Sequence, residues 1–126
     1  MRGVCALRPG VKGLSENIRV RSVIGRFLEH HRIYYYGAGG EELVYLASAD
    51  WMGRNLFRRI EVAFPVLDPG LKRRVIDEGL RPYLEDTAEA WTLLPSGEYA
   101  PPRPSAHGVS AQRKLLALLT HPDEER

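Results

Sequence analysis

His30 and Arg32 stand two residues apart, Ser48 and Asp50 are spaced the same way, and Glu61 follows about a dozen residues later. On an extended strand, residues two apart point to the same face. If the two short runs are the arms of a hairpin, an imidazole, a guanidinium, a hydroxyl and a carboxylate converge at one end. Such a set suits phosphoryl chemistry. A neutral imidazole can attack phosphorus or hold a phosphate oxygen. A guanidinium beside it can neutralise the transferring group through two parallel N–H donors. A His-x-Arg at a strand start is also what a solvated sheet edge looks like, so the motif needs its surroundings.

Those surroundings read as a hairpin. Ile33, Tyr34, Tyr35 and Tyr36, and Val44 and Tyr45 across from them, are β-branched or aromatic. Gly37, Gly39 and Gly40 separate the arms and predict a loop longer than the tightest type. Upstream, residues 2–7 read as a strand, 8–13 as a Pro-Gly loop, 15–17 as a turn and 18–24 as an alternating strand. Residues 25–29 read as one helical turn leading into the hairpin. Downstream, 51–58 is a loop or short helix that puts Arg54 and Arg58 on one face. Residues 59–67 form a strand with Ile60, Val62, Phe64 and Val66 on one side and Glu61 on the other, and Pro65 marks an end or edge. Asp68-Pro69 opens a helix as cap and first residue. Arg81-Pro82 should kink or divide that helix, which continues over 83–90. Residues 91–94 make a last strand, 95–98 its turn, and 99–104 an extended proline-rich stretch. Ser110 caps a final helix over 111–119, and 121–126 is a frayed tail.

A chain of 126 residues suits one domain, 1–126, with a modest core. No apolar run approaches the roughly 20 residues that span a bilayer, and Met1-Arg2 leads into no leader pattern. A single cysteine excludes an internal disulfide and fits a reducing cytoplasm; Cys5 reads as a small core residue. The net charge of +2 is unevenly spread: seven Arg and Lys face two Glu in the first 32 residues, a surplus of +5 that leaves −3 for the remainder. A basic N-terminal quarter that includes His30 and Arg32 predicts a polyanionic ligand. Zinc-finger spacing and RNA-binding aromatic signatures are absent, so nucleic acid is not expected.

Six short runs carry a family resemblance. Arg2-Gly3-Val4-Cys5, Leu14-Ser15-Glu16-Asn17-Ile18-Arg19, Phe27-Leu28-Glu29-His30, Val44-Tyr45-Leu46, Ser48-Ala49-Asp50-Trp51-Met52 and Arg59-Ile60-Glu61-Val62 resemble, in that order, the last domain of bacterial polyphosphate kinase. The likeness runs to about Trp91. It implies a phospholipase D-like α/β fold, a mixed sheet flanked by helices in a single domain. That superfamily's pattern reads His-x-Lys, Ser-x-Asn and then Glu. Here it stands as His30-x-Arg32, Ser48-x-Asp50 and Glu61, and the Arg and Asp departures argue against a phosphodiesterase.

What the resemblance implies is specific. Polyphosphate kinase moves the γ-phosphate of ATP reversibly onto polyphosphate through a phosphohistidine, with Mg2+. The phosphorylated histidine belongs to the preceding domain, so this chain is a fragment that alone should be inactive, with the protein ligands of Mg2+ outside it and no metal site of its own. Matching positions make His30 a nucleotide-phosphate ligand with an acid/base role and Arg2 a charge clamp. Arg32 is a phosphate-binding candidate by pattern, Ser48 and Asp50 shape the site, and Glu61 orients a reactive imidazole. Asp50 would repel a phosphate unless a cation or an arginine intervened. The expected partners are ATP or ADP, polyphosphate, the upstream domains of the same enzyme and a second copy of the chain, with a cytoplasmic location. Two other classes stay open: a homodimeric phospholipase D-type phosphodiesterase or nuclease, and a non-catalytic polyanion-binding module that tolerates loss of His30.

Overall fold

In the computed structural model the described residues are 5–103 and 107–120. Their elements, in chain order, are β1 (Arg21–Val23), β2 (Ile33–Ala38), β3 (Glu41–Ala47), α1 (Gly53–Arg58), β4 (Ala63–Pro65), α2 (Pro69–Arg74), a π-helical turn (Val75–Leu80), α3 (Arg81–Glu85), β5 (Ala90–Leu93), β6 (Tyr99–Ala100) and α4 (Ala111–Thr120). The strand read over 2–7 begins outside the described residues, and 5–7 takes no regular structure. The tail at 121–126 and Pro104 also lie outside them. The chain divides into two compact units, Glu29–Arg81 and the pair of segments Met1–Leu28 and Pro82–Arg126.

In the unit Glu29–Arg81, the sheet order is β2-β3-β4, antiparallel throughout. The hairpin pairs Ile33 with Leu46 at one end and Ala38 with Glu41 at the other. Only Gly39 and Gly40 lie between, so the turn is the tight two-residue type rather than a longer loop. Both take positive φ, +63° and +103°, which glycine adopts freely and which suits the twist of the arms. β4 pairs with Tyr45, Leu46 and Ala47 over three residues only, far short of 59–67. Of the apolar row read on one side of this strand, Ile60 is fully exposed, Val62 and Phe64 are more than half exposed, and Val66 is half-buried. The buried apolar residues of this unit are Val44, Ala49 and Ile76.

Asp68 caps α2 as its sequence position predicts, its carboxyl accepting from the Leu71 N–H at 2.8 Å, with Pro69 as the first helical residue. The π turn packs on β2. A Cβ at Gly79 would stand 2.6 Å from Ile33 Cδ1, the tip of a side chain that would have to turn aside. Of the kink or break expected at Arg81-Pro82, the structure shows a continuous helical run whose geometry changes to a π turn just before the proline. The Arg81 N–H donates to the carbonyl of Ile76, five residues back, and this wider turn comes where the proline ring would otherwise strike the carbonyl four residues before it.

In the other unit, the order is β1-β5-β6, again antiparallel. The strand read over 18–24 shortens to Arg21–Val23, although the Leu93 N–H still bonds the Val20 carbonyl at 3.0 Å. No helical turn forms at 25–29. The Gln112 side chain binds both backbone groups of Phe27, accepting from its N–H at 2.9 Å and donating to its carbonyl at 2.7 Å, which takes the partners a helix would need. The helix expected over 83–90 stops at Glu85, because the fully buried Asp86 turns its carboxyl onto the N–H groups of Glu89 and Ala111, each at 2.7 Å. β5 matches the strand read at 91–94, but it is not the last: β6 follows the turn at 95–98. α4 begins after Ser110 as expected, with the Ser110 hydroxyl accepting from the Arg113 N–H at 3.3 Å. Val20, Ala90, Leu93 and Ala111 form the buried apolar set.

The fold is thus mixed α/β with two small antiparallel sheets, and the single mixed sheet implied by the phospholipase D likeness is corrected. A parallel pair needs a β-α-β crossover returning to the same sheet. Here the helical run after β4 leads to β5, which belongs to the other sheet. Among the described residues, no helix is long and apolar enough to cross a membrane.

Candidate functional site

The tight hairpin turn fixes which residues meet at its open end. With Ile33 opposite Leu46, the next pair outward is joined by the Ala47 N–H to the Arg32 carbonyl at 3.0 Å. Beyond it, the Ser48 N–H donates to the Val62 carbonyl at 2.9 Å, and the Val62 N–H donates to Ser48 Oγ at 3.0 Å. This exchange brings the residue after Glu61 against Ser48. The chain then turns at Asp50, whose carbonyl accepts from the Met52 N–H, and enters α1.

Arg32, Asp50, Ser48 and Glu61 form two linked pairs here. Arg32 Nε and Nη2 both donate to Asp50 Oδ1, at 2.9 and 2.7 Å, and Nη1 donates to the His30 carbonyl at 2.6 Å. The guanidinium read as a phosphate fork already holds a carboxylate, and the arginine needed to offset Asp50 is Arg32. Ser48 Oγ donates to Glu61 Oε2, and Asn55 Nδ2 donates to Glu61 Oε1 at 2.7 Å. Glu61, expected to orient a reactive imidazole, here accepts from Ser48 on one oxygen and Asn55 on the other. His30 is exposed and held at its backbone by Arg32. Trp51 closes the edge: its indole N–H donates to the Tyr34 hydroxyl at 2.6 Å. Arg2 lies outside the described residues.

Both carboxyls ionise more readily than usual. For Asp50 the Arg32 hydrogen bonds are the largest cause, with the charges of Arg32, Arg54 and His30 adding to them against a burial effect of opposite sign. For Glu61 the donors Ser48 and Asn55 come first, then burial in the opposite sense, then the charges of Arg59 and Arg32. Asp50 is paired directly by Arg32 and also feels the charges of Arg54 and His30, while Glu61, with two neutral donors, feels those of Arg59 and Arg32. Among the described residues no group of three or more His, Cys, Asp and Glu is placed to hold a metal ion. With Asp50 engaged by Arg32 and Glu61 by Ser48 and Asn55, this end of the hairpin offers no ready ligand set for Mg2+.

The lowered carboxyls carry a pH prediction. Their folded-state pKa values lie below the unfolded ones, so their contribution is complete above the ordinary carboxylate range and is lost as pH falls through the lowered values. Thermal midpoints recorded from about pH 6 down to about pH 3 should fall, and Asp50→Asn should fall less steeply over that window. An identical slope in the variant would remove Asp50 as a cause.

Asn55 is the neighbour of Glu61 that sequence reasoning missed. It is the buried position of α1, while Leu56 and Phe57 beside it are exposed. Hydrophobic patterning selects the wrong residues in this segment, and only the pairing of Ser48 with Val62 shows why a polar side chain faces inward.

Comparison with known proteins places this geometry. Residues 1–112 match the family model described as polyphosphate kinase C-terminal domain 2. A polyphosphate kinase of Burkholderia cenocepacia is 62% identical over 117 residues, 93% of this chain and 17% of that protein. One from Paraburkholderia phytofirmans is 60% identical over 116 residues, 92% of this chain and 17% of that protein. The crystal structure of polyphosphate kinase from Porphyromonas gingivalis superposes with a TM-score of 0.87 at 40% identity, covering 98% of this chain and 19% of that one. The chain thus spans about one-sixth of the length of the curated relatives it matches. With its family model matched over most of its length, the chain belongs to the polyphosphate kinase C-terminal domain 2 family.

Proposed function

We propose that this chain supplies part of the nucleotide-phosphate site of a polyphosphate kinase, in the reversible transfer of the ATP γ-phosphate to polyphosphate. The observation that supports the reading most is the end of the hairpin. There an exposed imidazole belongs to a residue whose backbone carbonyl is held by Arg32, the charges of Arg32, Arg54 and His30 act on Asp50, and those of Arg59 and Arg32 act on Glu61. Phosphoryl transfer asks a protein mainly for positioning and positive charge, which this arrangement offers. His30 holds a phosphate oxygen and can give or take a proton there. Arg2 acts as the clamp, and Arg32 acts chiefly through Asp50 and the His30 backbone. Mg2+ enters with ATP, and its protein ligands, like the histidine that carries the phosphate, belong to the preceding domain. The chain by itself is then inactive, and the reaction takes place in the cytoplasm within the longer enzyme.

Calorimetric titration of ATP with Mg2+ tests the reading. His30→Ala and Arg2→Ala should each weaken binding about tenfold, equivalent to about 1.4 kcal/mol. Unchanged affinity in both variants would overturn it. Polyphosphate binding that falls steeply with salt yet survives His30→Ala would mark a polyanion-binding module instead.

A further inference from the structure

We propose that Asn55 is a positioning residue that fixes the orientation of the Glu61 carboxylate within the phosphate site. The inference rests on the nucleotide-phosphate reading above and deepens it. Asn55 is 4% exposed, the one buried residue of α1. Its Nδ2 donates to Glu61 Oε1 at 2.7 Å, while its Oδ1 is buried without a hydrogen-bond partner. A buried acceptor left unpaired costs stability, and an apolar side chain at the same place would avoid that cost. What an apolar residue could not supply is the donor to Glu61. Turning the amide over would set Oδ1 against the carboxylate oxygen, so the donor is held toward Glu61 and the unpaired acceptor is the consequence.

The effect on Glu61 follows from its two neutral donors. Ser48 fixes one oxygen from just past β3 and Asn55 fixes the other from α1, so the carboxylate is gripped from two segments of the chain. Hydrogen bonds of this kind favour the charged form. Glu61 then stays an anion that feels the charges of Arg59 and Arg32. It does so without serving as a proton donor, which leaves acid/base work to His30.

Asn55→Asp provides a nearly isosteric test with an unusual pH signature. Above the carboxylate range two anions would face each other and Glu61 would be displaced. At lower pH one proton shared between Asp and Glu would restore a donor–acceptor pair. Two readouts are needed on the intact chain. The first is the carboxyl carbon signal of Glu61 by NMR across pH. Its apparent midpoint should rise by about one unit or more in Asn55→Asp and by less in Asn55→Ala, which removes the donor without adding charge. The second is affinity for ATP with Mg2+, as a ratio to the wild-type chain at the same pH. Asn55→Asp should bind about tenfold more weakly at pH 7.5 and within about twofold near pH 5. An unmoved Glu61 midpoint in both variants overturns the proposal, as does a midpoint that moves while the affinity ratio stays flat with pH. If Asn55→Asp fails to fold, Asn55→Ala carries the same two readouts without the pH recovery, and wild-type behaviour in it overturns the proposal. A wild-type chain that binds no ATP overturns the nucleotide-site reading, and the Glu61 midpoint still decides whether Asn55 governs that carboxylate.

Discussion

Asp86→Ala should lower the stability of the chain by about 3 kcal/mol, which for a chain of this size is a fall of about 10 °C or more in thermal midpoint. Asp86 is fully buried, and its two carboxyl oxygens each accept from a backbone N–H at 2.7 Å, one from Glu89 and one from Ala111. Its own carbonyl, with that of Leu84, accepts from the Arg21 guanidinium. The side chain thus ties the segment after α3 to the approach to β5 and the start of α4, while the backbone carbonyl at the same residue holds Arg21 of β1. Truncation leaves the Ala111 amide in a site with no solvent access, since Ala111 is itself 0% exposed. A buried donor deprived of its acceptor bears the full desolvation cost, which falls on the Ala111 amide, with a smaller loss at the half-buried Glu89. Asp86→Asn keeps one acceptor and should cost about half as much. Urea unfolding followed by circular dichroism measures the difference, and a loss below about 1 kcal/mol for the alanine variant would show that water or a local shift replaces the carboxyl.

Gly25→Ala should cost about 2 kcal/mol for a different reason, close approach. A Cβ at this position would stand 2.4 Å from Gln112 Oε1 and 2.9 Å from Glu89 Oε2. Side-chain ends can often move aside, but these cannot do so freely. Gln112 is bonded twice to the Phe27 backbone, and Glu89 Oε2 accepts from the Ser110 hydroxyl at 2.7 Å. The clash therefore has to break hydrogen bonds or shift backbone. The double variant separates this from any intrinsic cost of losing glycine. In a Gln112→Ala background the same change should cost less than half as much, a coupling of about 1 kcal/mol. Strict additivity of the two changes would refute the steric account.

Much of the candidate site was legible because its parts are local. Arg32 and Asp50 lie just past the two arms of one hairpin and meet there, while His30 is reached through its carbonyl and Ser48 turns to Glu61. The hairpin arms, the Asp68 cap, the Ser110 cap and the strand at 91–94 follow from short-range rules in the same way. What escaped is long-range or irregular. The Gly39–Gly40 turn was read as longer because three glycines stand close together, and pairing alone shows that Gly37 belongs to β2. The strand at 59–67 has the alternation of a buried strand, yet pairing supports only three of its residues. No local pattern reports that Gln112 will take the backbone bonds of Phe27, 85 residues away, and so suppress a helical turn. Nor does any local pattern say that Asn55, rather than Leu56, faces inward.

The two compact units carry one tryptophan each, Trp51 in one and Trp91, on β5, in the other. Trp51 has its indole N–H on the Tyr34 hydroxyl, and Trp91 lies in the strand that pairs with β1. Replacing either by phenylalanine leaves a single emitter that reports one unit alone. Intrinsic fluorescence can then be divided between the units without any added dye. Asp86→Ala, a lesion in the Trp91 unit, should move the Trp91 transition first and furthest. The distance between the two emission midpoints becomes a direct reading of how strongly the halves of this chain share their folding cooperativity.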